Sequence, residues 1–519
     1  MVGFARICVR CASRDPKLLD YDYLRDFIMG RATLSGGGKL STYFSAGDVR
    51  GERIYVSIGL DDMDSPFGMC TTYAGALIAA RLYEEGVEFM DYPLLVRLNP
   101  NIPTKTRGNA AVCIRIATER SYLNRLTKIV LDVLDGLPHA FFPKTSPALV
   151  IYASDRYIVE RAIHRIYVEA LRSVVPLSRA ERAARSVKMG RIEVYTLGGR
   201  ARGIIGAVAS IGSVFDDYTY ELIAYRSANK LGSRRVIDAT SVVRMDRVLK
   251  PYVFDNVDGD RVLIHPRGPD PVLFGIRGET PEHVLKAYSM ISHEKAHIWC
   301  IFRTNQATGS HIIRVSMPEE AHPYETIMLD VEVAEIMYRG RTLVLACRKK
   351  DWDILINVYR MQRGLREIVS KLRRGDTIRA VMAVIHREKR VLRCNLEEII
   401  PLALTPMVIE RNPPCPICSA RMKKKSRNEL YCRKCGARHK GVFKIRLILP
   451  RTDIGIRRRY TAPSRAHRHL TLPGGRMFFR YQKISGSITP KIVEPFLGRE
   501  KPDPSRIRAW RLIAPPAVC

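Results

Sequence analysis

The stretch Ile58-Gly-Leu-Asp-Asp-Met-Asp-Ser-Pro-Phe-Gly-Met-Cys-Thr-Thr-Tyr73 decides how the rest of the chain is read. Just before it, Ile54, Val56, Ile58 and Leu60 recur at period two, as in a half-buried strand. Just after it, 74–83 reads as a helix. The stretch is therefore a strand-to-helix turn, with Asp61, Asp62 and Asp64 at the end of the strand and Cys70, Thr71 and Thr72 where the helix begins. These closely spaced carboxylates repel one another unless a hard cation takes them, and Mg²⁺ favours a few carboxylate oxygens with water and substrate phosphate. The unpaired N–H groups of a helix start suit phosphate oxygens. Two readings stand on this pattern: a Mg–nucleotide site, or an acidic surface turn followed by an N-cap threonine.

Outward from the turn, elements alternate between residues 51 and 156. Strand patterns recur at 92–98, 110–116 and 148–153, and a helix runs to Leu137, which makes an α/β unit. The loop Asn99–Asn109 carries Lys105 and Arg107 beside Gly108, a composition suited to cradling phosphate and equally that of a solvated turn. A second α/β region spans 157–290. Its Gly198-Gly-Arg-Ala-Arg-Gly203 loop is no dinucleotide fingerprint, because the glycine spacing is wrong; an anion-binding loop and a tight turn both remain open. From 291 to 405, strand-like runs at 297–303, 326–334, 341–347, 377–386 and 391–397 surround a helical pattern near 355–372. Five strands and a helix fit an OB-fold, which commonly holds single-stranded nucleic acid, or another small barrel.

Composition bounds the partners. Lys and Arg total 86 against 52 Asp and Glu, a net +34, the footprint of a polyanion binder. Residues 401–519 hold 27 basic and 6 acidic side chains, a net +21 of that excess, so nucleic acid is the expected partner. No apolar run of about 18 residues occurs, which excludes a membrane-spanning helix. The charged first ten residues do not read as a signal peptide, and the expected location is cytoplasmic.

The firmest motif by spacing is Cys415-Pro-Ile-Cys418 with Cys432-Arg-Lys-Cys435, two knuckles that suit structural Zn²⁺ in a closed tetrahedral site. Met422–Arg427 is the expected hairpin tip of such a ribbon. Cys8 and Cys11 have knuckle spacing without a second pair, and read as structural or incidental in an extension covering residues 1–50. Cys113, Cys300, Cys347 and Cys394 fall in strand-like runs and read as core. His467 and His469 could be ligands or catalysts, but in a basic segment without acidic or cysteine partners they read as RNA contacts or surface. The 406–519 region is taken as the zinc ribbon and a basic tail.

Several motifs in one order carry a resemblance: Asp61-Asp62-Met63-Asp64-Ser65 with Gly68-Met69-Cys70-Thr71-Thr72-Tyr73, then Arg97–Asn109, Thr219–Arg226, Gly268–Glu279 and Arg303–Thr308. The chain resembles the archaeal 2-agmatinylcytidine synthetases that act on the AUA-reading isoleucine tRNA. It departs from them at Met63, where the family has threonine, and in its N-terminal extension. The resemblance implies a kinase-like α/β domain, a ferredoxin-like α+β domain, an OB-fold barrel and a zinc ribbon. It implies ATP and Mg²⁺ at Asp61, Asp62 and Asp64, with Gly68, Thr72 and Asn109 at the nucleotide, charge neutralisation by Lys105 and Arg107, and autophosphorylation of Thr71. Partners would be agmatine and the isoleucine tRNA with a CAU anticodon. A guanidinium-ended polyamine needs a carboxylate for bidentate pairing, and Asp217, Glu221, Asp270 and Glu279 are the candidates, each also readable as a cap or structural ion pair. The rival expectation is a non-catalytic OB-fold and zinc-ribbon RNA-binding protein.

Overall fold

A computed structural model describes residues 40–64, 69–105, 108–137, 145–196, 201–266, 268, 270–441, 444–484, 491–501, 508–511 and 516–518. The chain divides into two compact units: one of 1–313, 324–326 and 463–519, the other of 314–323 and 327–462.

In the first unit the strands are β1 (Ser41–Gly47), β2 (Arg53–Asp61), β3 (Leu94–Arg97), β4 (Ala110–Glu119), β5 (Ala148–Ser154), β6 (Gly190–Thr196), β7 (Thr219–Tyr225), β8 (Val272–Gly278) and β9 (Ile298–Thr304). They join in one sheet in the order β1-β6-β5-β2-β4-β3-β9-β7-β8. All these neighbours pair antiparallel except β3 and β9, which run parallel. The sheet runs without a break through residues 51–156 and 157–290. The period-two residues of β2 form its core, with Ile54, Val56, Ile58 and Leu60 at most 1% exposed.

Helices cover both faces. Helix α1 (Thr71–Glu84) lies against β4, where Val112 would meet a methyl added at Gly75 at 2.6 Å. The other face carries α2 (Ile204–Ile211). A methyl at Gly59 would stand 2.4 Å from the Ala207 carbonyl, so only glycine lets this helix lie so close to β2. Arg115, on the same face of the sheet, donates to the Ile211 and Ser213 carbonyls at 3.1 and 2.6 Å and secures the end of α2.

The strand expected to open the barrel at 297–303 belongs instead to this sheet, as β9. Period-two patterning reports a strand but not its partner. The second unit's barrel gains its missing strand from Trp352–Val358, which runs into the segment read as helical from 355; the helix there is only Arg363–Lys371. Trp352, Ile354, Ile356 and Val358 are buried at strand period, which the neighbouring helical pattern obscured. The barrel strands are Thr326–Arg339, Thr342–Lys349, Trp352–Val358, Thr377–Glu388 and Val391–Ala403. Counted in chain order they close as first, second, third, fifth, fourth and back to the first, with the third and fifth parallel. After the barrel, Met407–Arg411 pairs with Ile445–Leu449, and between them Lys423–Ser426, Glu429–Tyr431 and Arg438–Lys440 form a small sheet beside the four cysteines. Residues from 463 onward return to the first unit. Cys113, Cys300, Cys347 and Cys394 are all buried, as expected. Cys8, Cys11 and the rest of residues 1–39 lie outside the described residues, while Ser41–Gly47 of the expected extension forms β1 of the sheet.

Candidate active site

Two cavities meet at the end of β2. The first, about 180 Å³, is lined by Asp61, Asp62, Asp64, Lys105, Asn109 and Arg202, among others. Asp62 sits in the left-handed region at φ 57°, as does Asn109 at φ 50°. Asp and Asn tolerate that region better than most residues, and such strain persists where surrounding contacts over-determine it. Here the Ser146 N–H and Arg202 Nη2 donate to Asp62 Oδ2 at 2.8 and 3.1 Å. Asn109 Nδ2 donates to the Asn99 carbonyl at 2.7 Å. Burial and the neighbouring carboxylates Asp62 and Asp64 push the Asp61 carboxyl well above its usual range. Burial likewise raises Asp62, against the opposing pull of Arg202. Asp61, Asp62 and Asp64 thus line one cavity, but their carboxylates do not gather as closely as the four cysteines described below.

The second cavity, about 320 Å³, shares Asp64, Asn109 and Ala110 with the first. It adds Thr71, Thr72, Glu221, Asp270, Arg277 and His469. Thr71 is the first residue of α1 and Cys70 its N-cap, with no side chain capping the helix start. The Thr71 hydroxyl accepts instead from the Met63 N–H at 3.2 Å, tying the helix back to the acidic turn. Met63 itself is fully buried in the hydrophobic core and lines neither cavity, so the side chain at the family's threonine position faces away from the acidic turn's chemistry.

The four candidate carboxylates separate into two pairs. Glu221 and Asp270 line the second cavity. Glu221 accepts from Arg97 Nη2 at 3.1 Å and lies 3.6 Å from Arg277. Asp270 accepts from the Val272 N–H at 3.1 Å, with Arg235 at 3.6 Å. Asp217 and Glu279 line neither cavity; Arg476 reaches them at 3.0 and 2.5 Å, and Lys483 Nζ donates to Glu279 at 2.7 Å. Arg476 and Lys483 come from the basic tail expected to contact RNA, and both are buried. His467 also departs from expectation: its Nδ1 lies 2.9 Å from Asp255 Oδ2.

The pattern of the TiaS TCKD domain matches residues 57–196, and that of the TiaS FLD domain matches 201–311. The isoleucine tRNA 2-agmatinylcytidine synthetase TiaS of Pyrococcus horikoshii is 38% identical over 420 residues, covering 80% of this chain and 96% of the relative. Its counterpart from Thermofilum pendens is 36% identical over 428 residues, covering 80% and 94%. The chain belongs to the TiaS family of isoleucine tRNA 2-agmatinylcytidine synthetases. Among solved structures of that family, the complex of TiaS with its isoleucine tRNA and ATP is 31% identical with a TM-score of 0.69, and the complex with the same tRNA, AMPCPP and agmatine is 30% identical with 0.66; each comparison covers 82% of this chain and 98% of the other.

In this member of the synthetase family, Asp61, Asp62, Asp64, Lys105 and Asn109 line the first cavity, and Thr71 and Thr72 line the second. Gly68 and Arg107 lie outside the described residues. Arg202, Arg97, Arg277 and His469 also line these cavities; the Arg202 loop, the motifs that hold Arg97 and Arg277, and His469 itself stood out in the sequence, but without a role at this site. Cys415 Sγ lies 3.5 Å from Cys435 Sγ and Cys418 Sγ 3.4 Å from Cys432 Sγ, all four within 4.8 Å. A tetrahedral ion about 2.3 Å from each sulfur sets the sulfurs about 3.8 Å apart, so the cluster fits one with modest expansion. Hydrogen bonds, the largest from the Cys435 backbone, lower the Cys432 thiol to about 6, while at Cys435, against the lowering pull of the Ala437 backbone, hydrogen bonds with the neighbouring thiols raise the thiol to about 12. No helix among the described residues is long and apolar enough to cross a membrane.

Proposed function

We propose that this chain uses ATP to attach agmatine to C2 of the wobble cytidine of the isoleucine tRNA with a CAU anticodon, giving 2-agmatinylcytidine so that the anticodon reads AUA. The observation that carries this reading is the pair of cavities joined at Asp64 and Asn109, one rich in carboxylates and cations, the other offering Glu221 and Asp270. The family membership and the relatives' complexes with tRNA, ATP and agmatine support it, and they count against the non-catalytic RNA-binding alternative.

The oxygen at cytosine C2 is a poor leaving group, so it is first phosphorylated. Lys105, Arg202 and Arg107 neutralise charge on the transferring phosphoryl group, the positioning and electrostatic work that this chemistry requires. Asp61, Asp62 and Asp64 would hold Mg²⁺, which when bound offsets the charge of the triphosphate. Gly68, Thr72 and Asn109 shape the nucleotide site, and Thr71 is the residue that autophosphorylates. Agmatine's amine then forms the C2–N bond as the C2–O bond breaks and phosphate leaves with its electron pair. Asp270, with Glu221, faces the guanidinium end; Asp217 and Glu279 act structurally through Arg476 and Lys483. The wobble base enters splayed from its stack.

At the level of domains, residues 51–156 serve as the kinase-like part and 157–290 as the ferredoxin-like part. The barrel is an OB-fold, consistent with its strand order and its helix between the third and fourth strands. The cysteine cluster is a structural zinc ribbon, and its exposed strand Lys423–Ser426 meets the tRNA backbone. The test is incorporation of labelled agmatine into CAU isoleucine tRNA transcript with and without ATP, with elongator methionine tRNA as control. ATP-dependent labelling of the first alone is expected. Salt-sensitive RNA retention with no such labelling would return the chain to the RNA-binding reading.

A further inference from the structure

His469 reaches the second cavity from far along the chain. It follows the barrel and ribbon in sequence, yet its main-chain carbonyl accepts from the Ala307 N–H at 2.7 Å, which anchors the segment in the first unit. A methyl added at Gly108 would meet its Cδ2 and Nε2 at 2.7 Å, so one edge of the ring lies flat against that backbone. The ring lines the same cavity as Thr71, Glu221 and Asp270. Among the described residues neither ring nitrogen has a hydrogen-bond partner, in contrast to His467 with its Asp255.

We propose that His469 is the base that takes the proton from agmatine's nucleophilic nitrogen as the C2–N bond forms, a role that rests on the reading of the site given above. The step balances: nitrogen contributes its electron pair to C2, the C2–O pair leaves on phosphate, and the imidazole lone pair receives the proton. A nitrogen gaining positive charge in bond formation is acidic, so a weak base suffices. The other candidates are engaged or stand at the rim: Glu221 is held by Arg97 and Arg277, Asp270 by the Val272 N–H and Arg235, and His265, the other imidazole on this cavity, is exposed with its Nδ1 3.5 Å from the Pro266 carbonyl. The charged and titratable groups on the cavity with His469 are Arg97 on β3, Arg277 on β8, Glu221 on β7, Asp270 and His265 before β8, Cys70 at the start of α1 and Asp64 in the acidic turn. Burial first, then Arg97 and Arg277, hold the ring well below its usual range, so it stays neutral with a free lone pair at and above neutral pH.

The test compares wild type with His469→Gln and His469→Ala for ATP-dependent agmatine incorporation between pH 6.5 and 9, with tRNA affinity and melting temperature as checks on folding. At pH 7 we expect the variants to fall by about 10²-fold or more. The deficit should shrink as pH rises, because hydroxide replaces the missing base, and added imidazole should accelerate His469→Ala but not wild type. A deficit constant across pH, without rescue, would make the residue purely structural and overturn the proposal, as would wild-type rates in either variant. If both variants fail to fold, the wild-type profile decides: a flat limb above neutral pH supports a base that titrates low, and a tenfold climb per pH unit contradicts it. Absence of any ATP-dependent incorporation by wild type would instead refute the functional reading itself.

Discussion

Replacing Gly206 by alanine tests whether the position of Asp61 governs turnover. Gly206 lies in α2, and its φ is not left-handed, so alanine fits the helix and by propensity alone stabilises it by about 1 kcal/mol. The added methyl, however, would stand 2.0 Å from Asp61 Oδ2 and 2.5 Å from its Cγ, where ordinary contact begins near 3.4 Å. The carboxylate must move by about 1.4 Å, the difference between those distances, or the helix must lift from β2. A misplacement of about 1 Å in a catalytic group costs on the order of 10²-fold, or about 2.7 kcal/mol of barrier. Overpacking costs a further 1–3 kcal/mol or so of stability, much of it offset by the helix gain. Gly206→Ala should therefore lose about 10²-fold in agmatine incorporation while its melting temperature falls by only a few degrees and its tRNA affinity holds. Turnover within twofold of wild type, in a folded variant, would show that Asp61 need not occupy its present place.

Four further outcomes are expected. Asp62→Asn should abolish ATP-dependent labelling while leaving tRNA retention on filters nearly intact, since Asp62 serves the acidic turn; undiminished turnover would remove the turn from the chemistry. Asp270→Asn should raise the KM for agmatine at least tenfold with the KM for ATP unchanged, and an effect on ATP alone would reassign the residue. Arg476→Met leaves Asp217 with only the long 3.9 Å contact to Arg480 and Glu279 with Lys483, and breaking a buried pair in this way costs about 3–5 kcal/mol; a melting temperature within one degree of wild type would contradict the role given to Arg476. Neutralising Lys423, Lys424 and Lys425 together should flatten the log–log salt dependence of tRNA binding by roughly two to three units, because each phosphate contact contributes about 0.7–0.9, and an unchanged slope would move the RNA surface elsewhere.

Local chemistry was the legible part of the chain. The acidic turn, the β2 pattern and the cysteine knuckles each lie within a short span, and spacing alone predicts their geometry. Partnership across long separations was not legible. The 297–303 strand pattern is sound, but its pairing with Leu94 and Leu95 on β3 depends on contacts about two hundred residues apart. Trp352–Val358 was absorbed into a neighbouring helical pattern because a short apolar run has no decisive period. The basic tail illustrates the same limit. Its charge excess pointed outward to RNA, yet Arg476 and Lys483 turn inward, to carboxylates that themselves looked like substrate contacts. His469 was unreadable for that reason too, since nothing near it in sequence names Gly108 as its neighbour.

The return of residues 463–519 to the first unit has a consequence during synthesis. A ribosome delivers the sheet first, then the barrel and ribbon, and only then the segment that brings His469, Arg476 and Lys483. The barrel and ribbon can fold as a unit while the sheet is still waiting for its last pieces. Asp217 and Glu279 emerge early and must bide unpaired until their cations arrive some two hundred residues later. A nascent chain interrupted near residue 462 would thus hold a finished barrel and ribbon while its first unit still lacks His469, Arg476 and Lys483, so that premature termination should yield an inactive product rather than a mis-specific one.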